Sequence, residues 1–126
     1  MARKIKIQAG QVTIRATLDT TPTADAIWDA LPLSGLVRRW GDEIYFSIPV
    51  NLQETADARQ DMQVGELAFW PDGNALCIFF GPTPVSKGDE PRAYSNVNPF
   101  GQVDDDPTLL QTIEDGETVQ VARIEE

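Results

Sequence analysis

Ile5 and Ile7 stand between Lys4, Lys6 and Gln8. After Ala9-Gly10 the alternation resumes, with Val12, Ile14, Ala16 and Leu18 interleaved with Thr13, Arg15 and Thr17. A period of two predicts strands with one buried face. Gly10 can take positive φ, so the short break predicts a turn that makes the pair an antiparallel hairpin. The period then changes. Ala24, Ile27, Trp28 and Leu31 fall at i, i+3, i+4 and i+7, one apolar stripe of a helix. Thr21 suits its N-cap, Pro22 its first turn and Pro32 its end. A helix with a single apolar face must pack on something, most simply the open side of a sheet or the end of a barrel.

Beyond it the strand pattern returns. Gly35 to Trp40 and Glu43 to Val50 read as strands joined by a Gly41-Asp42 turn. In the second, Ile44, Phe46 and Ile48 face one way, Tyr45 and Ser47 the other. Residues 51–63 are polar and aperiodic and predict a loop with room for one short strand. Gly65 to Trp70 and Ala75 to Phe80 are the most apolar stretches, joined by the turn sequence Pro71-Asp72-Gly73-Asn74. Gly81-Pro82-Thr83-Pro84 breaks the sheet, residues 85–106 read as a long Pro/Asn/Asp-rich excursion, and Asp106 to Leu110 as one helical turn. Glu117 to Ile124 supplies a last strand. Seven or eight short strands and one helix predict a single mainly β domain over residues 1–126. Its expected form is a closed or nearly closed antiparallel β-barrel with one α-helix and a short helical turn. Closure would dispose of exposed edges.

Composition narrows the chemistry. Twenty acidic residues against ten basic ones give a net charge of −10, which argues against nucleic-acid binding, since a phosphate-binding face needs excess Lys and Arg. No apolar run approaches the length of a membrane span, and Met1 to Lys4 leads straight into alternating Ile and Lys without a secretory core. One cysteine, Cys77, cannot form an internal disulfide and fits a reducing compartment. The expectation is a soluble, cytoplasmic protein with no metal or cofactor and an open oligomeric state. Histidine is absent, which excludes Ser-His-Asp triads, zincin motifs and imidazole acid–base chemistry.

The stretch from Gly65 to Pro84 resembles a small bacterial and archaeal family of cyclophilin-like barrel proteins whose biochemical role is unassigned. Trp40-Gly41-Asp42-Glu43-Ile44-Tyr45-Phe46 and Ser95-Asn96-Val97-Asn98-Pro99-Phe100-Gly101 support the resemblance, which covers roughly residues 3–124. It implies a cyclophilin-like barrel. A more distant likeness is to the cyclophilin prolyl isomerases. Their G-x-L-S-M-A segment is similar to Gly65 to Trp70, their Phe pair to Phe79-Phe80, and their F-H-R-I-I-P strand to Ile44 to Pro49. On that likeness the catalytic arginine falls at Phe46 and the active-site glutamine at Ile78. The pocket aromatic is Phe80 and the pocket methionine is Phe69. Rotation about an X–Pro bond faces a barrier of about 20 kcal/mol. Polar donors that act on the transition state lower such a barrier, whereas a pocket alone binds both states alike. Both aligned polar groups are apolar here, and only Arg38, Arg39, Arg59 or Arg92 could supply a guanidinium from elsewhere.

Individual residues carry a sharper and a plainer reading. Cys77, between Leu76 and Ile78, reads as a buried side chain rather than a nucleophile, since no histidine activates it and burial raises its pKa. Asp104-Asp105-Asp106 reads as a solvated loop that caps a helical turn rather than a calcium site. Asp72-Gly73-Asn74 reads as a hairpin turn that could also present polar atoms to a ligand. Trp28 anchors the helix. Trp40 and Trp70 sit at strand ends, where an indole can pack while its N–H finds a partner. Adjacent Arg38 and Arg39 point to opposite faces, so at most one faces a pocket, with surface ion pairing the default. Tyr94, Asn96 and Asn98 could line a polar rim or belong to a loop of Asx turns. The leading expectation is non-catalytic binding of a small molecule or short peptide in an apolar groove. That groove would be lined by Phe46, Phe69, Ile78 and Phe80, with Trp70, Asn74 and Arg39 at its rim. The alternatives are a diverged peptidyl-prolyl isomerase and an oligomeric or scaffold role without a small ligand.

Overall fold

A computed structural model describes residues 3–125. The chain begins with the expected hairpin, β1 (Arg3–Ala9) and β2 (Val12–Leu18), turning at Gly10 with φ +54°. Helix α1 (Pro22–Ala30) follows, its cap supplied by Thr21 Oγ1, which accepts from the Ala24 N–H at 3.2 Å. Thr21→Ala removes that acceptor and is expected to cost about 1 kcal/mol, a loss readable as a lower midpoint in urea unfolding; an unchanged midpoint would show the cap to be idle. Ala24, Ile27 and Leu31 are buried in the main core and Trp28 packs against it. The guanidinium of Arg123 lies over the Trp28 ring at 4.6 Å and that of Arg3 at 5.7 Å.

The stretch expected as one strand over 35–40 is two, β3 (Leu33–Leu36) and β4 (Arg38–Arg39), divided at Val37. Val37 turns inward and is buried, its N–H donating to Glu117 O and its carbonyl accepting from Gly116 N–H, both at 2.8 Å. Then come β5 (Glu43–Ser47), β6 (Arg59–Asp61), β7 (Glu66–Trp70), β8 (Ala75–Phe79), β9 (Arg92–Val103), a 3-10 turn over Pro107–Thr112, and β10 (Thr118–Arg123). The paired strands are all antiparallel, in the order β3-β10-β1-β2-β9-β7-β8-β5-β4, with β6 paired to β9 alone. The two ends of this path, β3 and β4, are neighbours in the chain. No ladder joins them among the described residues, so the hydrogen-bonded sheet is open at Val37 rather than closed.

The largest departure from expectation is β9. Residues 92–103, read as part of a loop, form the longest strand of the protein. Asn, Pro and Gly disfavour strands, yet here both sides of the backbone find partners. The second half of β9 pairs with β2 and β7, while its first half leaves them and pairs with β6. A register irregularity opposite Leu67 and Ala68 marks the change. Pairing supplied by the rest of the fold overrides local preference.

Burial divides accordingly. The main core gathers Ile5, Ile7, Ile14, Phe46, Phe69, Leu76, Ile78, Phe80 and Phe100 with the apolar face of α1. A second, smaller cluster lies on the opposite face of β5, β7 and β8, where Met62, Ala68, Cys77, Phe79, Ala93 and Val97 pack together with Tyr45 and Trp70. This is why every residue of β8 is buried: one face meets the main core and the other meets the bent first half of β9.

Candidate functional site

The four residues expected to line a groove, Phe46, Phe69, Ile78 and Phe80, all belong to the main core and are at most 2% exposed. They share one strand parity and that parity points inward. The opposite parity builds a recess. Glu43 and Tyr45 on β5, Cys77 on β8, Trp70 at the end of β7, and Ala93, Tyr94 and Val97 on β9 line it with Trp40, enclosing about 210 Å³. Its formation follows from register. Tyr45 pairs with Cys77, and Cys77 with Ala68 on its other side, so these three side chains form one row across the sheet. Glu43 pairs with Phe79, which places it diagonally from Cys77.

The Gly41-Asp42 turn brings in Trp40. Trp40 and Glu43 exchange backbone hydrogen bonds at 2.9 and 3.2 Å, and Gly41 takes φ +60°. Residues so paired project to the same face, which puts the indole beside the carboxyl. On the other side, Gly73 leaves no room for a side chain because the Trp70 ring lies against it. The Trp70 indole N–H donates to Ser95 Oγ at 2.7 Å, and the Ser95 hydroxyl donates to Asp72 Oδ2 at 2.9 Å. That relay fixes the ring between the β7–β8 turn and β9. Three edge-to-face contacts link the four aromatic rings in series: Trp40 to Tyr94 at 6.0 Å, Tyr94 to Trp70 at 6.1 Å, and Trp70 to Tyr45 at 6.0 Å. Tyr94 is 68% exposed and stands at the mouth.

Glu43 is the one acidic side chain of the recess, and it is 5% exposed. Burial pushes its carboxyl up to about 8 from an ordinary value of 4.5, an effect partly offset by the neighbouring Cys77 thiol. The carboxyl is therefore largely neutral at pH 7. Cys77 is itself held well above its usual range, first by burial and then by the charge of Glu43. A thiol so placed is a poor nucleophile. No salt bridge reaches Glu43 among the described residues.

The other sequence candidates are dispersed. Arg39 does not face the recess. It lies over the Phe80 ring at 4.9 Å, pairs with Asp42 at 3.1 Å and donates to the carbonyls of Gln111 and Ile113, closing the other side of the sheet. Its neighbour Arg38, opposite Tyr45 in the β4–β5 ladder, shares the recess face and is exposed. Asn74 is a turn residue with φ +47° whose carbonyl accepts from Ile48 N–H. Asn98 is fully buried and fastens the 51–58 loop to β9, accepting from Thr55 N–H at 3.0 Å and donating to Gln53 O at 2.9 Å. Asp104 meets Lys4 and Thr17, Asp105 accepts from Arg15 N–H, and Asp106 caps the 3-10 turn through Thr108. Protein donors occupy all three acids, and no cluster of metal-ligating side chains occurs among the described residues.

Glu43, Tyr45 and Cys77 lie on the face opposite the inward-pointing residues of β5 and β8 from which the sequence predicts a groove. A signal for them existed. Ala75 to Phe80 is apolar at consecutive positions, which requires cover on both faces and hence a second packed layer. No helix among the described residues is long and apolar enough to cross a membrane.

Known proteins share this architecture. The solution structure of the hypothetical protein AF2241 from Archaeoglobus fulgidus superposes with a TM-score of 0.81 at 34% identity, over 98% of this chain and 95% of that one. McbB in complex with tryptophan superposes with a TM-score of 0.71 at 19% identity, over 97% of this chain and 45% of McbB, and shows the fold alone. No curated protein matches the sequence. The family model described as Cyclophilin-like matches residues 3–122, and the chain accordingly belongs to the Cyclophilin-like family.

Proposed function

We propose that this protein binds a small organic molecule, without chemistry on it, in the recess on the outer face of β5, β7 and β8. The observation that carries the reading is the convergence of four aromatic rings and one buried carboxyl around a half-enclosed volume of about 210 Å³. Natural pockets combine apolar walls with a few placed polar groups in this way. The volume is below the ~300–1,000 Å³ typical of drug-sized ligands, so the ligand is small. The sheet acts as a barrel whose open hydrogen-bonded seam at Val37 is bridged by the chain and a shared core, and the protein works in the cytoplasm, where the free Cys77 stays reduced. The isomerase alternative gains no support: Phe46 and Ile78, at the positions of the cyclophilin arginine and glutamine, are core residues and offer no donor to a rotating amide.

Trp40 and Trp70 make the site self-reporting. Titration of a fragment library that includes tryptophan, the ligand recorded with McbB, and X–Pro peptides is expected to change indole fluorescence. Amide shifts should concentrate at Glu43, Tyr45, Cys77, Ala93 and Val97. Binding that shifts other faces of the sheet, or no binding by any fragment at millimolar concentration, would remove the proposal.

A further inference from the structure

Resting on the small-molecule reading above, we infer that the recess takes a small organic ammonium ion, its positive charge set between the aromatic rings and the Glu43 carboxylate. Aromatic rings attract cations through the negative charge of their faces, and clusters of such rings are the usual receptors for substituted ammonium groups. Elsewhere in this protein the ring-to-guanidinium contacts are internal, with Arg3 and Arg123 on Trp28 and Arg39 on Phe80. Among the described residues no guanidinium or ammonium lies on Trp40, Tyr45, Trp70 or Tyr94. These rings are linked to one another and line the same recess as Glu43.

The carboxyl makes the same point independently. An acid buried in an apolar cluster costs stability unless it is paired or neutral. Glu43 has no salt-bridge partner among the described residues, and it lines the recess. An aliphatic side chain would serve the core better. A ligand cation supplies the missing partner: as it enters, one proton leaves Glu43 for solvent, so the recess stays neutral. The titratable and charged groups around Glu43 are Tyr45 on its own strand, Cys77 on β8, Tyr94 on β9 and the exposed Arg38 on β4. Burial holds Cys77 in its neutral form at pH 7, which leaves Glu43 as the group whose ionisation follows the ligand. Affinity accordingly tightens as pH rises toward about 8 and then levels.

The test compares choline with its uncharged isostere 3,3-dimethylbutan-1-ol, by NMR and calorimetric titration at pH 6.5 and 8.5, against the wild type and Glu43→Gln. The expected result is choline binding at the recess about tenfold or more tighter than the alcohol, tighter at the higher pH. Calorimetry in buffers of different ionisation heat should show proton release at pH 6.5. Glu43→Gln, isosteric with the neutral acid, should keep the fold and lose most of the preference. Equal affinity for choline and the alcohol, or binding by uncharged fragments alone, would overturn the ammonium assignment and leave the pocket reading intact. Silence from both probes and from the whole fragment library would overturn both.

Discussion

Between pH 5 and pH 8 the folded protein is expected to lose about 3–4 kcal/mol of stability, and Glu43→Gln is expected to abolish most of that loss. The unfolded chain holds Glu43 at its ordinary 4.5, while burial in the folded protein raises it to about 8. A carboxyl with a raised folded value binds its proton more tightly in the native state. Its contribution is therefore full below about 4.5 and falls as pH climbs toward 8, where the folded protein must ionise a buried acid. Each pH unit of difference corresponds to about 1.4 kcal/mol. Few other side chains titrate in the window: the chain has no histidine, and in the folded protein burial drives Cys77 upward out of it. Ordinary carboxylates have ionised near pH 4. Urea unfolding of both proteins at pH 5, 6, 7 and 8 reads the effect. The wild-type curve should fall while the variant stays nearly level, so that the variant is the more stable protein at pH 8. Parallel curves would show that Glu43 ionises normally and is not buried as described.

Phe46→Ala should cost about 3–5 kcal/mol, the range for deleting a large aromatic side chain from a packed core. Phe46 is 2% exposed. Its ring lies against Gly35 of β3, 3.0 Å from where a Cβ at that glycine would stand. It therefore reaches from β5 across to β3, beside the opening in the sheet where no ladder joins β3 to β4. Phe46→Arg, the residue a cyclophilin would carry there, would place an unpaired charge in the core and is expected to prevent folding. Denaturant unfolding measures the first substitution, and recovery of soluble folded protein the second. A cost below 1 kcal/mol for Phe46→Ala, or a well-folded Phe46→Arg protein, would show the side chain facing outward after all.

The β1–β2 hairpin, α1 with its Thr21 cap, the Gly41-Asp42 turn and the β7–β8 pair were legible because each is specified locally, by a period, a cap or a turn residue. The same alternation made the inward set of β5 and β8 readable as a set, though not as core. Parity sorts side chains into two faces and says nothing of which face meets the helix and which meets another strand. Strand β9 was hidden for a different reason. Asn96, Asn98, Pro99 and Gly101 argue locally for a loop, and only pairing with β2, β7 and β6 makes them a strand. Because that strand bends across the outer face of β5 and β8, the recess exists only in the folded protein. The chain by itself determined the antiparallel, mainly β architecture with one helix, the net negative charge and the absence of histidine. The tertiary structure decided that Glu43, Tyr45, Trp70 and Tyr94, spread over some fifty residues, share one pocket, because inter-strand register sets these distances and no local pattern encodes it.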